Sequence, residues 1–122
     1  MTRLWLAIAG LGGLSSVVMG ALATHLFDDA KATGLVRTGA LYGMVHAAAL
    51  IGLIGFAQGR EPRRGAAVVA GWSFCIGILL FSGSLFLLAL TGMTRISWVT
   101  PIGGTALIVG WAAMGLLAFR RR

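Results

Sequence analysis

Four long apolar runs constrain this chain more than any other feature of its sequence. Each run approaches or exceeds the ~20 residues that an α-helix needs to cross a bilayer. The runs cover residues 4–27, 38–57, 66–90 and 98–119, which is almost the whole chain. The sequence therefore predicts an all-α integral membrane four-helix bundle, with residues 1–122 forming a single domain and no room for a soluble one.

Composition also favours a membrane protein over a soluble one. Only 11% of the 122 residues are charged and 58% are hydrophobic, whereas a soluble domain carries about 25% charged residues. The first run, with Arg3 before it, could also be a cleaved signal peptide, but it is long for the apolar region of a signal. We therefore expect a retained first span. The single cysteine, Cys75, lies in mid-span and can form no internal disulfide.

The arginines and lysines predict the orientation of the four spans. The net charge is +7, which in a soluble protein would suggest nucleic-acid binding. Here the charges sort by connection instead. Seven lie on one side of the bundle: Arg3, Arg60, Arg63, Arg64, Arg120, Arg121 and Arg122. Three lie on the other side, where two aspartates dilute them: Lys31, Arg37 and Arg95.

The positive-inside rule turns this seven-to-three division into a topology. Both termini and the middle connection are predicted to be cytoplasmic, with the seven arginines as a cytoplasmic anchor. The expected partners are the lipid bilayer and either further copies of the chain or another membrane protein, and nucleic acid is not expected.

Small residues recur in these runs at a spacing that suits helix packing. Residues four apart lie on one face of a helix, and small side chains there let a second backbone approach closely. A Gly-rich span can also produce such a row by chance. The predicted packing residues are Gly12, Ser16, Gly20, Gly39, Gly43, Gly83, Gly103 and Gly104.

Two connections are predicted on the external side. In the longer one, residues 27–37, Asp28 or Asp29 can cap a short helix. We expect a short interfacial helix there, either separate or continuous with the second span. Residues 91–97 form a short polar turn between the last two spans. Pro101 then falls in the first turn of the fourth helix, where proline is tolerated.

Four motifs resemble a known family. They are the Gly-Ala and Ala-Thr-His elements of residues 20–25, Tyr42 with Val-His-Ala at 45–47, LLFSGSLFLLALTG at 79–92, and TPIGG at 100–104. Through them the chain resembles, over essentially its whole length, the small YgdD/YwdK-like bacterial membrane proteins, domain-of-unknown-function family 423. It departs from the family in having Ala-Thr-His where the family has Gly-Ala-His. The resemblance implies a four-span inner-membrane protein and no catalytic mechanism.

Six polar side chains are predicted to gather in the outer half of the bundle and to form a polar pocket there. At ~1.5 Å of rise per residue, all lie within about 12 Å of the outer ends of their runs. They are His25, Tyr42, His46, Ser82, Ser84 and Thr100. Polar residues at this depth are costly unless they pair, and they usually face the bundle interior.

The structural interpretation of these six side chains is a set of interhelical hydrogen bonds. His46 would bond Ser82 or Ser84, and His25 would bond a loop carbonyl or Thr100. A second interpretation is an outward-open pocket in which His25 and His46 respond to protons, because histidine ordinarily titrates near neutral pH. A third is metal or haem ligation, although two histidines alone do not complete a metal site. We predict no cofactor and no metal.

The sequence contains no convincing catalytic constellation. The three carboxylates all lie in connections: Asp28, Asp29 and Glu61. A serine–histidine pair formed by His46 with Ser82 or Ser84 would lack an acid to orient the histidine. We therefore expect a small non-enzymatic integral membrane protein that serves as an accessory or interaction subunit of a membrane complex. The alternatives are an oligomeric minimal transporter or channel for a small solute or proton, and a haem- or quinone-binding redox subunit.

Overall fold

The computed structural model of the protein describes residues 1–58 and 64–119. Its helices are α1 (Thr2–Leu22), α2 (Ala30–Ala57), α3 (Arg64–Gly77), a π-helical segment (Ile78–Ser82), α4 (Gly83–Thr91) and α5 (Val99–Gly115). Short 3₁₀ turns, Thr94–Ile96 and Leu116–Ala118, flank α5. Because α3, the π segment and α4 run on as one helix, these described ranges contain four helices long and apolar enough to cross a membrane. The predicted all-α, four-span fold is confirmed.

The third helix, from α3 through the π segment to α4, lies at the centre of the bundle and contacts each of the other three. α1 packs mainly on α2, and α5 packs mainly on α3 and the π segment. The α1–α2 pair is antiparallel, since Gly12 faces Ala47 while Gly20 faces Ala40. We call the end with Thr2, Ala57, Arg64 and Ala118 the terminal end of the bundle, and the other the opposite end.

The connection between α1 and α2 is shorter than the sequence suggested. α1 ends at Leu22, and Asp29 caps α2 by accepting hydrogen bonds from the N–H groups of Lys31 and Ala32 at 3.2 and 3.3 Å. This cap starts α2 eight residues before the predicted span. The expected interfacial helix is therefore not separate, because its residues form the first two turns of α2.

The third helix contains a π-helical turn that the apolar pattern of the sequence does not predict. Residues 78–82 form a π-helical turn, whose wider winding changes the direction of every side chain that follows it. α4 then ends at Gly92, which adopts φ +67° in the left-handed region that glycine enters without steric cost.

Two groups of buried apolar residues hold the helices together. The larger lies towards the terminal end, where Trp5 of α1, Leu50 of α2, Phe74 of α3 and Leu107 of α5 belong to one cluster. The smaller lies at the opposite end, where Val36 and Phe86 join α2 to α4. Large apolar side chains also cover the outside of the bundle, as expected for a protein surrounded by lipid.

Candidate functional site

The imidazole of His46 is a buried polar group that connects two helices of the bundle. This side chain is only 5% exposed. Its Nδ1 atom lies 2.7 Å from the carbonyl oxygen of Tyr42, one turn earlier in α2. Its Nε2 atom lies 2.9 Å from the indole Nε1 of Trp111 in α5. The histidine therefore ties α2 to α5, two helices that share few other contacts.

These two partners define the protonation state of the ring. A carbonyl oxygen only accepts, so Nδ1 must carry the hydrogen and donate it to Tyr42. The indole N–H only donates, so Nε2 must be the acceptor from Trp111. His46 is therefore the neutral Nδ1–H tautomer. A proton added at Nε2 would place two donors face to face and break the bond to Trp111.

Aromatic rings surround His46 on three helices. Its ring centroid lies 5.8 Å from those of Tyr42 and Phe74 and 5.9 Å from that of Trp111. Phe74 and Trp111 also meet edge to face at 5.4 Å, a favoured arrangement of aromatic rings. Phe81 of the π segment extends the cluster to Tyr42, at 4.8 Å. Tyr42 and Trp111 remain 42% and 47% exposed, so the cluster reaches the lipid-facing surface.

The predicted bond between His46 and Ser82 or Ser84 is wrong. The Ser82 hydroxyl instead donates to the carbonyl of Gly39 at 2.7 Å, and Ser84 pairs with Thr100 at 2.6 Å. Gly39 precedes His46 by two helical turns, so Ser82 meets α2 about 10 Å away from the histidine along the helix axis.

The predicted bond is wrong because the second span lies at a different position along the bundle axis from the one assumed. The predicted depth of His46 was counted from residue 38, as if that residue were level with the end of the third span. α2 begins at Ala30 and already packs against α4 at Val36, so its register is shifted relative to that estimate. His46 lies level with Phe74 and Trp111, which are nearer the terminal end, and not with the serines in the opposite half.

His25 does not join the other predicted site residues. It lies in the connection after α1, where its backbone N–H bonds the Leu22 carbonyl and its side chain is exposed. Within residues 1–58 and 64–119, the imidazole makes no hydrogen bond to a loop carbonyl or to Thr100. The six predicted residues thus form the Tyr42–His46 contact, the Ser84–Thr100 pair, the separate Ser82 bond and an isolated His25.

The predicted small-residue rows of α1 and α2 face each other. The Ser16 hydroxyl occupies the space over Gly43, and a Cβ added at Gly12 would lie 2.8 Å from Cγ2 of Ile78. Gly39 receives the ring of Phe86, also at 2.8 Å. Gly20 makes only ordinary contact with Ala40, at 3.5 Å from the added Cβ.

The later predicted glycines differ from one another. Gly103 lies against the backbone nitrogen of Phe81, and a Cβ added at Gly104 would lie 3.5 Å from the ring of the same residue. Gly83 is wrongly predicted to pack, because an added Cβ would meet nothing within 4 Å among the described residues. Ser82 and Ser84 on either side of it point to α2 and α5, which leaves Gly83 facing neither helix.

Several residues in these contacts were missed as site or packing residues. Gly71 receives the ring of Trp5, Gly77 receives Leu107, and Gly110 receives Phe74 at 2.7 Å. Trp111, the partner of His46 in α5, was not among the predicted site residues. An indole N–H in mid-span needs an acceptor, and a histidine in a neighbouring span was the signal that could have identified the pair.

The predicted cytoplasmic anchor lies only partly within the described residues. Arg3 and Arg64 are exposed at the terminal end, and the remaining predicted anchor residues lie outside the described ranges. Within those ranges no three His, Cys, Asp or Glu side chains come together as a metal site would require.

Comparison with known proteins places this arrangement in a family. The model of the family "Protein of unknown function (DUF423)" matches residues 19–104. A "UPF0382 membrane protein" of Haemophilus influenzae is 34% identical over 100% of this chain and 98% of its own length. No solved structure matches the chain.

Two further relatives give the same result. The "UPF0382 membrane protein YwdK" of Bacillus subtilis is 30% identical over 97% of this chain and 98% of its own. The "UPF0382 inner membrane protein YgdD" of Escherichia coli K12 is 34% identical over 98% and 92%. The resemblance and the inner-membrane location predicted from the sequence are confirmed. The chain belongs to the DUF423 family of membrane proteins of unknown function.

Proposed function

We propose that this protein acts without catalysis, by binding another transmembrane helix as an accessory or interaction subunit of a membrane complex. The observation that supports this proposal is a set of four glycines with open space beside them. They are Gly10 and Gly13 in α1 and Gly52 and Gly55 in α2. A Cβ added at any of the four would meet nothing within 4 Å among the described residues.

Gly10 and Gly52 face away from the centre of the bundle. Helical residues two apart point in nearly opposite directions, since each residue turns the helix by about 100°. Gly10 is two residues from Gly12, which contacts Ile78 of the π segment. Gly52 is likewise two residues from Leu50, which is fully buried.

Gly13 and Gly55 lie on either side of the contact between α1 and α2. Gly13 points in nearly the same direction from α1 as Gly20, because the two are seven residues, or about two turns, apart. Gly55 points about 60° around the axis of α2 from the direction of Ala40. Gly20 and Ala40 touch each other. We infer that the four glycines together form one lipid-facing surface along α1 and α2, which we call the α1–α2 glycine surface.

Such a surface is suited to a helix from outside the chain. Helices associate in bilayers by close packing at small residues, because lipid tails are as apolar as the side chains they replace. Glycine in a helix interior is also less favourable than alanine by about 0.8–1.0 kcal/mol. Four glycines at which an added Cβ would meet nothing within 4 Å among the described residues thus carry a cost that a docked helix would offset.

The geometry gives less support to the transporter and redox alternatives. Both depend on an available histidine, and the two ring nitrogens of His46 are already bound to Tyr42 and Trp111. His25 is exposed outside α1 and lies apart from the cluster.

Site-specific photo-crosslinking in native membranes tests the proposal. A photoreactive amino acid is placed at Gly10 or Gly52, and a control probe replaces Ile108, which is 71% exposed on α5. We expect one discrete protein adduct from the two glycine positions, identified by mass spectrometry as either a second copy or another membrane protein. Adducts that are absent at both glycines, or that form equally at Ile108, would contradict the proposal.

A further inference from the structure

The hydroxyl of Ser16 is an unusual group in this bundle. The residue is fully buried between α1 and α2, at 0% exposure. Its Oγ atom has no hydrogen-bond partner among the described residues. A buried hydroxyl without a partner is destabilising, and native proteins almost always satisfy one.

The carbonyl of Gly12 is not free to accept a hydrogen bond from Ser16. A buried serine commonly turns its hydroxyl back onto the carbonyl four residues earlier, which for Ser16 is that of Gly12. That oxygen accepts the helical N–H of Ser16 and also the hydroxyl of Ser15, at 3.2 Å. Both of its lone pairs are then in use.

A second hydroxyl faces the same small space. Ser16 Oγ occupies the position where a Cβ of Gly43 would lie, and Ser82 Oγ is 3.2 Å from that position. Ser82 donates its hydrogen to Gly39, so its own oxygen still has room to accept. A free donor on α1 and a free acceptor on the π segment therefore both lie beside Gly43 without bonding each other.

We propose that one water molecule binds between Ser16 and Ser82, accepting a hydrogen bond from the first hydroxyl and donating one to the second. Buried waters typically serve polar groups that the protein leaves unsatisfied. This water joins Ser16 of α1 to Ser82, the last residue of the π-helical segment, beside Gly43 of α2. It holds the π segment in its register against the other two helices.

The sign of a stability change tests whether Ser16 has a partner. Replacing a hydroxyl that bonds a water should destabilise the protein, whereas removing an unpartnered one should stabilise it. We expect Ser16→Ala to lower the Tm by about 3 °C. Ser15→Ala is the matched control, since it removes only a local bond to Gly12, and it should change the Tm by far less. A Tm for Ser16→Ala that is unchanged or raised would overturn the proposal.

A structure of the wild-type protein that shows ordered waters tests the ligand itself. The expected result is one density peak within hydrogen-bond distance of both Ser16 Oγ and Ser82 Oγ. A direct bond between the two hydroxyls, or a Ser16 hydroxyl bonded to its own helix with no density between the pair, would overturn the proposal. This measurement decides the question even if Ser16→Ala does not fold.

Discussion

Replacing Gly103 by alanine should push α5 away from the π segment. Gly103 lies against the backbone of Phe81, and an added Cβ would also lie 2.8 Å from the Phe81 Cα and from the carbonyl carbon of Leu80. Ordinary contact begins at 3.4 Å. Backbone atoms cannot turn aside as a flexible side chain can, so the helices must separate by about 0.6 Å or more.

The magnitude follows from what this separation disturbs. Overpacking a well-packed contact typically costs about 1–3 kcal/mol. The Ser84–Thr100 bond, 2.6 Å long and one turn away, would also lengthen, and such interhelical bonds contribute about 0.6 kcal/mol in membranes. Alanine recovers at most about 1 kcal/mol through its higher helix propensity. The expected net destabilisation is about 1–3 kcal/mol.

Gly83 provides the matched control for this experiment. It undergoes the same glycine-to-alanine change in the same bundle, but an added Cβ there meets nothing within 4 Å among the described residues. Gly83→Ala should therefore be neutral or stabilising by up to about 1 kcal/mol. Equilibrium unfolding of both variants by SDS in mild-detergent micelles measures the difference. Equal stabilities for Gly103→Ala and Gly83→Ala would refute the close approach of α5 to the π segment.

Three further predictions concern the histidine cluster and the topology. Trp111→Phe keeps an aromatic ring but leaves His46 Nε2 without its donor, and should destabilise the bundle by about 1 kcal/mol in the same unfolding assay; no change would show that the bond does not form. Nitrogen-15 NMR should find His46 protonated at Nδ1 and not at Nε2, whereas the reverse pattern would contradict the assigned partners. A reporter active only in the cytoplasm should be active when fused after Arg122, and activity of a periplasmic reporter there would overturn the predicted orientation.

The sequence was sufficient for the fold because the bilayer leaves few choices. Runs of ~20 apolar residues in lipid must satisfy their backbone groups internally, and the helix is the solution open to isolated runs. The four-residue spacing of small residues also predicted that Gly12 and Ser16 would face a neighbouring helix, as they do. Both features depend on local periodicity, which the sequence contains directly.

The hydrogen-bond partners of the polar residues depend on helix register and on the π-helical turn, which the periodicity of the sequence does not contain. The cap at Asp29 lengthened α2 and shifted its register against α4, which separated His46 from Ser82. The π-helical turn then altered the directions of Ser82 and Ser84 relative to α3. A single added residue in one helical turn cannot be recognised from the apolar sequence of residues 78–82.

The most direct test of the proposed role is the mass of the complex that the protein forms in native-like membranes. Native mass spectrometry after mild extraction compares the wild type with Gly52→Leu, which fills the α1–α2 glycine surface. Gly115→Leu is the control, since Gly115 is equally open but lies on α5. The proposal predicts a defined complex for the wild type and for Gly115→Leu, and its loss in a folded Gly52→Leu protein. A wild-type protein that remains a lone chain, or a complex that Gly52→Leu leaves intact, would contradict it.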